Sequence, residues 1–310
     1  MIIVPPSYEI LNEMDKGALV ERIETCGRIC YKSEDKITAE SAIPFVQKMM
    51  SYGHNSVMEM AAITLRVECD EEVVQSFLSC QPKYLIVHRV GAGMLVTGTV
   101  RAFREFYKKN SSEDIAVAFI EKLAKEEPYL FSDLGENVIN RDFQSDILLI
   151  RLTVEDIDNL PEDLIIQHRY IAVRMVVNRA VTHELVRHRP CSYLQESQRY
   201  CRYSNDKFGN QVSFIKPLFY EEATPEYDVW KTAMEETEKL YFTLLETSTP
   251  QAARTVLPNS CKTEIITYCT LAEWKHIFAL RTTPHAEPSM REIMIPLEKE
   301  MIAQFPVLKK

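Results

Sequence analysis

The chain has 310 residues, 46% of them hydrophobic and 26% charged, the balance of a folded globular protein long enough for one elaborate domain or two ordinary ones. Its 36 Lys plus Arg against 45 Asp plus Glu give a formal charge of −9, which disfavours nucleic acid or any long polyanion as a partner. No apolar run reaches the roughly 18 residues of a membrane span. The start, MIIVPPSYEI, lacks the basic and long apolar regions of a secretory leader, and the eight scattered cysteines form no C-x-x-C pair, so a cytoplasmic protein with reduced thiols is expected.

Residues 8–31 place Ile10, Leu11, Met14, Leu19, Ile23 and Ile29 at mixed three- and four-residue spacings, which predicts an amphipathic helix weakened at Gly17. A second helix is expected over 38–50, closing at Tyr52-Gly53. In the polar turn that follows, His54-Asn55-Ser56-Val57-Met58-Glu59, a His and an acid read first as capping groups. Residues 61–69 alternate apolar and polar and predict a strand. Residues 84–96 are rich in β-branched side chains and read as a strand bulged at Gly91 and Gly93, because the glycines do not continue into a dinucleotide fingerprint. Two helices with charged surfaces are expected over 99–109 and 113–125. An acidic, loop-like stretch is expected over 127–163, then a strand over 165–177 that leads into a helical HELVRH segment.

Residues 183–203, HELVRHRPCSYLQESQRYCRY, stand apart: Arg187, Arg189, Arg199 and Arg202 face only Glu184 and Glu196, with Ser192, Tyr193, Gln195, Ser197 and Tyr200 interleaved. Guanidinium forks and hydroxyls bind phosphate well, so a concentrated cationic site in an acidic chain suits a small phosphorylated ligand. A metalloprotease H-E-x-x-H is not present. Along a continuous helix the five-residue step from His183 to His188 turns roughly 500°, leaving the two rings about 140° apart, and no metal site is expected.

Arg187-His188-Arg189, seven residues, then Ser197 is the R-H-R-x7-S pattern, and with Gln195-Glu196-Ser197-Gln198-Arg199-Tyr200 it resembles the flavin-dependent thymidylate synthases. Other segments are similar in order: Gly27-Arg28-Ile29-Cys30-Tyr31-Lys32-Ser33, the G-H-x-S-x-x-E of Gly53 and His54 with Ser56 and Glu59, and Ala253-Arg254-Thr255-Val256-Leu257-Pro258. The last are Trp274-x-His276-Ile277-Phe278-Ala279-Leu280-Arg281 and Met290-Arg291-Glu292-Ile293. The resemblance covers roughly 1–65 and 172–305, so a single domain over 1–310 with an inserted segment at about 66–171 is expected.

The resemblance implies a mixed α/β (α+β) fold, a sheet flanked by helices, assembled as a homotetramer with shared active sites. It implies methylation of dUMP with methylenetetrahydrofolate as carbon donor, NADPH as reductant and bound FAD. On the cofactor side it places His54, Ser56, Arg187, His188, Arg189, Gln195 and His276. On the nucleotide side it places Glu184, Arg187, Gln195, Glu196, Ser197, Gln198, Arg199, Arg254 and Arg281, with Arg281 holding the uracil as the catalytic residue. Ser197 is given a binding role. The chain departs from the family's N-x-R-x-W at Thr270 and Ala272, which removes an amide and a guanidinium from the flavin side. That departure leaves open a nucleotide-binding relative with altered flavin chemistry.

Overall fold

The computed structural model describes residues 1–135, 146–204 and 208–309. In chain order come β1 (Ile2–Val4), β2 (Ser7–Ile10), α1 (Leu19–Ile29), α2 (Ala42–Ser51), a 3-10 turn Asn55–Met60, β3 (Ala62–Glu68), α3 (Glu71–Ser79), β4 (Ile86–Val90) and β5 (Gly93–Thr99). Next are α4 (Val100–Lys109), α5 (Asp114–Glu126), α6 (Pro128–Gly135), β6 (Leu148–Arg151), α7 (Val154–Asp158), α8 (Glu162–His168), β7 (Tyr170–Asn178), α9 (Arg179–Leu185) and β8 (Ser192–Gln195). The chain ends with β9 (Ser213–Ile215), α10 (Pro225–Thr247), α11 (Pro250–Ala253), β10 (Lys262–Thr270), α12 (Leu271–Arg281) and α13 (Pro288–Gln304). The fold is mixed α/β, sheets flanked by helices, and no described helix is long and apolar enough to cross a membrane.

The sheet that carries the arginine-rich stretch runs β2-β7-β10-β8, antiparallel throughout, with Tyr8 opposite Met175, Thr263 opposite Val177 and Ile265 opposite Gln195. Successive side chains on a strand point to opposite faces, and both faces here are covered. Ile171, Val173, Met175, Val177, Ile265 and Cys269 join one apolar core with α12 and α13. Ala172, Ile266 and Tyr268 join the other, with α1, α2 and the second sheet. That second sheet, β4-β5-β3-β6, is also antiparallel. A parallel pair, β1 with β9, lies beside a third core that includes Tyr241 of α10.

Several sequence expectations are corrected. Residues 8–31 are not one helix: Ser7–Ile10 is an edge strand on β7, Asn12–Lys16 is a 3-10 turn and only Leu19–Ile29 is α-helical, because Tyr8 and Ile10 find a distant strand with which to pair. Residues 84–96 form a hairpin instead of a bulged strand. Gly91 takes the positive φ of 61° at its turn, and at Gly93 a Cβ would come within 1.9 Å of the Val67 carbonyl oxygen. The helices expected over 99–109 and 113–125 are present, but α5 buries Ile115, Val117, Phe119, Ile120 and Leu123 and is far more than a charged surface element. The loop expected over 127–163 contains α6, β6 and α7, and its residues 136–145 lie outside the described ones. Residues 165–168 belong to α8, and the strand begins at Tyr170. The helix expected through HELVRH stops at Leu185, where Arg187 and His188 turn back on carbonyls three residues earlier and Pro190 follows.

A buried polar chain ties the second sheet to α8. His168 is 1% exposed; its Nδ1 lies 2.7 Å from the Thr97 hydroxyl and its Nε2 2.9 Å from Nδ1 of His88, while Thr97 meets Thr64 at 2.8 Å. Burial, reinforced by His88, pushes the His168 pKa down from 6.5 to about 4. A histidine whose folded pKa is depressed leaves stability unaffected above its unfolded value. It lowers stability as pH falls from about 6.5 toward 4, because only the unfolded chain takes the proton there. Melting curves of wild type and His168→Gln across that window are expected to converge as pH falls, with the variant showing the flatter dependence.

Candidate functional site

Two helix ends meet at the arginine-rich turn. Arg281, the last residue of α12, donates from Nη1 to Glu184 Oε2 at 2.6 Å, from Nη2 to the Glu184 carbonyl at 3.1 Å and from Nε to His188 Nε2 at 3.1 Å. A guanidinium has five N–H donors, so two remain for a ligand. The turn itself is fastened by Tyr193 of β8, whose hydroxyl lies 2.7 Å from the Leu185 carbonyl and 3.1 Å from that of His188. Because Nε2 of His188 accepts from Arg281, the ring proton sits on Nδ1, 3.6 Å from a Glu273 carboxylate oxygen. Burial, with Arg281 and His276 nearby, pushes the His188 pKa down to about 4, so the ring is neutral at neutral pH and the contact with Glu273 is no ion pair. Burial raises the Glu273 pKa as well, and its Oε1 is buried without a hydrogen-bond partner.

Ligand atoms of His188, Glu273 and His276 lie within 4.8 Å of one another, a grouping that suits a metal ion by distance. Electrostatics opposes it. The Arg281 guanidinium already occupies one nitrogen of His188, and a divalent ion would be placed against a fixed positive charge.

The second part of the site lies at the polar end of the main sheet. Gln195 donates its amide to Thr182 of α9 and to Thr263 of β10, both at 3.1 Å. Glu196, 2% exposed, accepts from Tyr203 at 2.9 Å and pairs with Lys262 at 2.9 Å. Lys262 also reaches Glu264 at 2.5 Å, and Glu264 holds Lys32 at 2.7 Å and Arg174 as well. Burial alone would raise the Glu264 pKa; Lys262 and Lys32 outweigh it and hold the carboxyl at about 2. Arg174, Lys262 and Glu264 share the sheet face of Ile266 and Tyr268, so a core face turns ionic where it approaches the Gln195–Ser197 turn.

The other candidates are placed as follows. Ser197 is fixed by its backbone N–H to the Cys30 carbonyl at 3.0 Å, and its hydroxyl accepts from Arg199 N at 3.3 Å. Gln198 is buried with Nε2 unpartnered. Arg199 is exposed and donates to Gln251 at 3.1 Å, three residues before Arg254, whose side chain forms no hydrogen bond or ion pair among the described residues. Nδ1 of His54 lies 2.9 Å from the Tyr31 hydroxyl, and the Tyr31 ring sits 5.5 Å from that of Tyr200, which brings the His54 turn to the Ser197 turn. Ser56 is exposed in the same 3-10 turn, and Arg187 and Arg189 are exposed beyond α9. Thr270 caps α12 by accepting from Glu273 N at 3.3 Å, and Ala272 lies in that first turn.

Sequence reasoning missed Lys262, Glu264, Arg174 and Glu273. Lys262 and Glu264, two apart and the charged residues of an otherwise uncharged strand, are a signal that was available; their partners come from about 60 to 230 residues away and were not.

A helix-flanked antiparallel sheet gathers cationic donors and buried acceptors at one end. The chain belongs to the thymidylate synthase complementing protein family, whose model matches residues 13–82 and 155–307. A flavin-dependent thymidylate synthase of Pyrococcus furiosus is 38% identical over 125 residues, 40% of this chain and 50% of that one. One from Geobacter sulfurreducens is 34% identical over 122 residues, covering 39% and 51%. The chain spans about half the length of these curated relatives that it matches. A solved UMP/dUMP methylase from Streptomyces cacaoi, bound with 5-Br dUMP, aligns over 99% of this chain and 95% of that one at 14% identity and a TM-score of 0.42.

Lys262 joins two buried carboxylates, so Lys262→Met leaves Glu196 without its cation. We expect a loss of about 1.5–3 kcal/mol in denaturant-melt stability, and a change within error would show that Tyr203 alone satisfies Glu196.

Proposed function

We propose that the protein carries out reductive methylation of dUMP to dTMP, with methylenetetrahydrofolate as carbon donor, FAD bound in the site and NADPH as reductant. The observation that carries this reading is Arg281, fixed by Glu184 and His188 with two donors to spare, at the turn that bears the R-H-R pattern. Family membership and the names of the relatives support it. We read the stretch between the two matched parts, within the expected 66–171, as an insertion into the family domain, and the active assembly as a cytoplasmic homotetramer.

The residues present fit a flavin. Arg187 and Arg189 are exposed donors beside the turn, and Glu273 and Gln198 each keep a buried polar atom without a hydrogen-bond partner among the described residues. A cavity of about 400 Å³ opens beside Arg189. Arg187, His188, Arg189, His276, His54, Ser56 and Gln195 are the residues that would hold the flavin, and the flavin, when bound, supplies the hydride.

The chain's own contribution is binding and field. Gln195, Glu196, Ser197, Gln198, Arg199 and Arg254 surround the nucleotide phosphate and sugar. Ser197 and Arg199 offer the direct contacts, while the buried Glu196 acts by holding its turn through Tyr203 and Lys262. Arg281 sets a guanidinium charge against the uracil, favouring its N3-ionised form and so a more nucleophilic C5. Glu184 orients that guanidinium, and the neutral His188 steadies it without adding a competing positive charge. Thr270 keeps the helix-capping function at its position, so the departure from N-x-R-x-W leaves α12 correctly started. The same departure, with Ala272, motivates a second reading, a nucleotide-binding relative without flavin turnover.

The two readings separate on spectra and isotope release. The purified chain supplied with FAD is expected to turn yellow, to bleach with NADPH in the absence of oxygen, and to release tritium from 5-tritiated dUMP when the folate is present. A colourless chain that cannot be reconstituted leaves the binding reading. Arg281→Ala is expected to lower kcat by about 10²–10³, and Arg281→Lys to recover little of it, since an ammonium cannot reproduce three fixed donors. Near-normal turnover of either variant would remove Arg281 from its role.

A further inference from the structure

The cavity of about 400 Å³ has two walls of different origin. One is built around Arg189 and Thr270, at the arginine-rich turn and the start of α12. The other includes Lys83, Tyr84 and Arg101, which fall in the stretch between the two parts of the family match. Such a volume is in the range of small-molecule sites.

Its charges are not evenly engaged. Arg101 is bound on both sides, to Glu59 at 2.6 Å and Glu105 at 2.5 Å, so one guanidinium answers the cavity's two carboxylates. Lys83 and Arg189, by contrast, form no ion pair among the described residues, and both are exposed. Both line the space, Arg189 from the arginine-rich turn and Lys83 from the stretch between the two parts of the family match. Tyr84 is 57% exposed, with the Lys83 ammonium 5.3 Å from its ring centroid, which puts a flat face and a cation side by side. Thr99 and Thr270, both lining residues, are the N-caps of α4 and α12, so the positive ends of two helix dipoles add to the same field. A lysine and an arginine without ion-pair partners among the described residues, lining one cavity with an exposed aromatic ring, match an aromatic ring compound that carries phosphate.

We propose that this cavity binds one of the phosphorylated ring ligands of the reaction described above, and that Lys83 and Tyr84 are binding residues supplied by the segment outside the family match. Lys83 and Arg189 contact the phosphate, and Tyr84 stacks on the ring. The inference rests on the function proposed above, whose ligands with this chemistry are FAD, NADPH and dUMP.

The test is equilibrium binding of each of the three to the full chain, by fluorescence or calorimetry, for wild type, Lys83→Glu, Lys83→Arg and Tyr84→Ala. Both positions are exposed, so the variants are expected to melt with wild type; where Lys83→Glu does not, Lys83→Gln removes the charge alone. The expected result is a loss of affinity of about tenfold or more for one ligand with Lys83→Glu, recovered by Lys83→Arg, a smaller loss for the same ligand with Tyr84→Ala, and unchanged binding of the other two. The ligand that loses affinity identifies the occupant. Unchanged binding of all three, or an equal loss for all three, overturns the inference and leaves the function standing. A wild-type chain that binds none of them overturns the proposed function itself.

Discussion

Strand β10 has to bury both of its faces, and most of the molecule follows from that requirement. Placed between β7 and β8, it has no solvent-facing side over eight of its nine residues, so each face needs its own apolar partner layer. Helices α12 and α13 cover one face and α1 and α2 the other, which is why the sheet separates two cores. Thr263, Glu264, Thr267 and Thr270 are buried in the same strand, at positions where an apolar side chain would pack more cheaply. Three of them are occupied with the site: Thr263 receives Gln195, Glu264 anchors the lysine network, and Thr270 starts α12.

The buried charges show the same logic at larger scale. A carboxylate as enclosed as Glu264 is costly without cations around it, and it has Lys32, Lys262 and Arg174. Asp15 plays the same part between Arg22 and Arg169 on the far side of the sheet's reach, with Arg169 also at Asp158. These clusters join segments remote in sequence, and the first of them fixes the floor beneath the Gln195–Ser197 turn.

What the sequence made legible was local or periodic. The helix that became α4 and the strand β3 were read from spacing because their own residues decide them. The strand β2 was not, since Ile10 fits a helical spacing with Met14 as well as an alternation with Tyr8, and the choice is made by β7 more than 160 residues on. The arginine-rich turn was legible from composition, yet its shape was not: the helix ends at Leu185 because Tyr193 fastens the carbonyls that a further turn would have used. Its chemistry was half visible. Arg281 and Glu184 could be singled out, while Glu273 and Lys262 take their meaning only from neighbours that the chain brings in from elsewhere.

Arg281 loses its freedom when the protein folds. A solvent-exposed arginine gives up as much as about 2 kcal/mol of side-chain entropy when a ligand immobilises it, and that cost is charged to affinity. Here Glu184 and His188 have already chosen the rotamer, so an anion arriving at the two remaining donors meets a receptor whose disorder was removed beforehand. The arrangement also limits reach. A guanidinium held at three atoms cannot follow a ligand that sits an ångström out of place, and under the proposed function discrimination between closely similar rings would be the return on that stiffness.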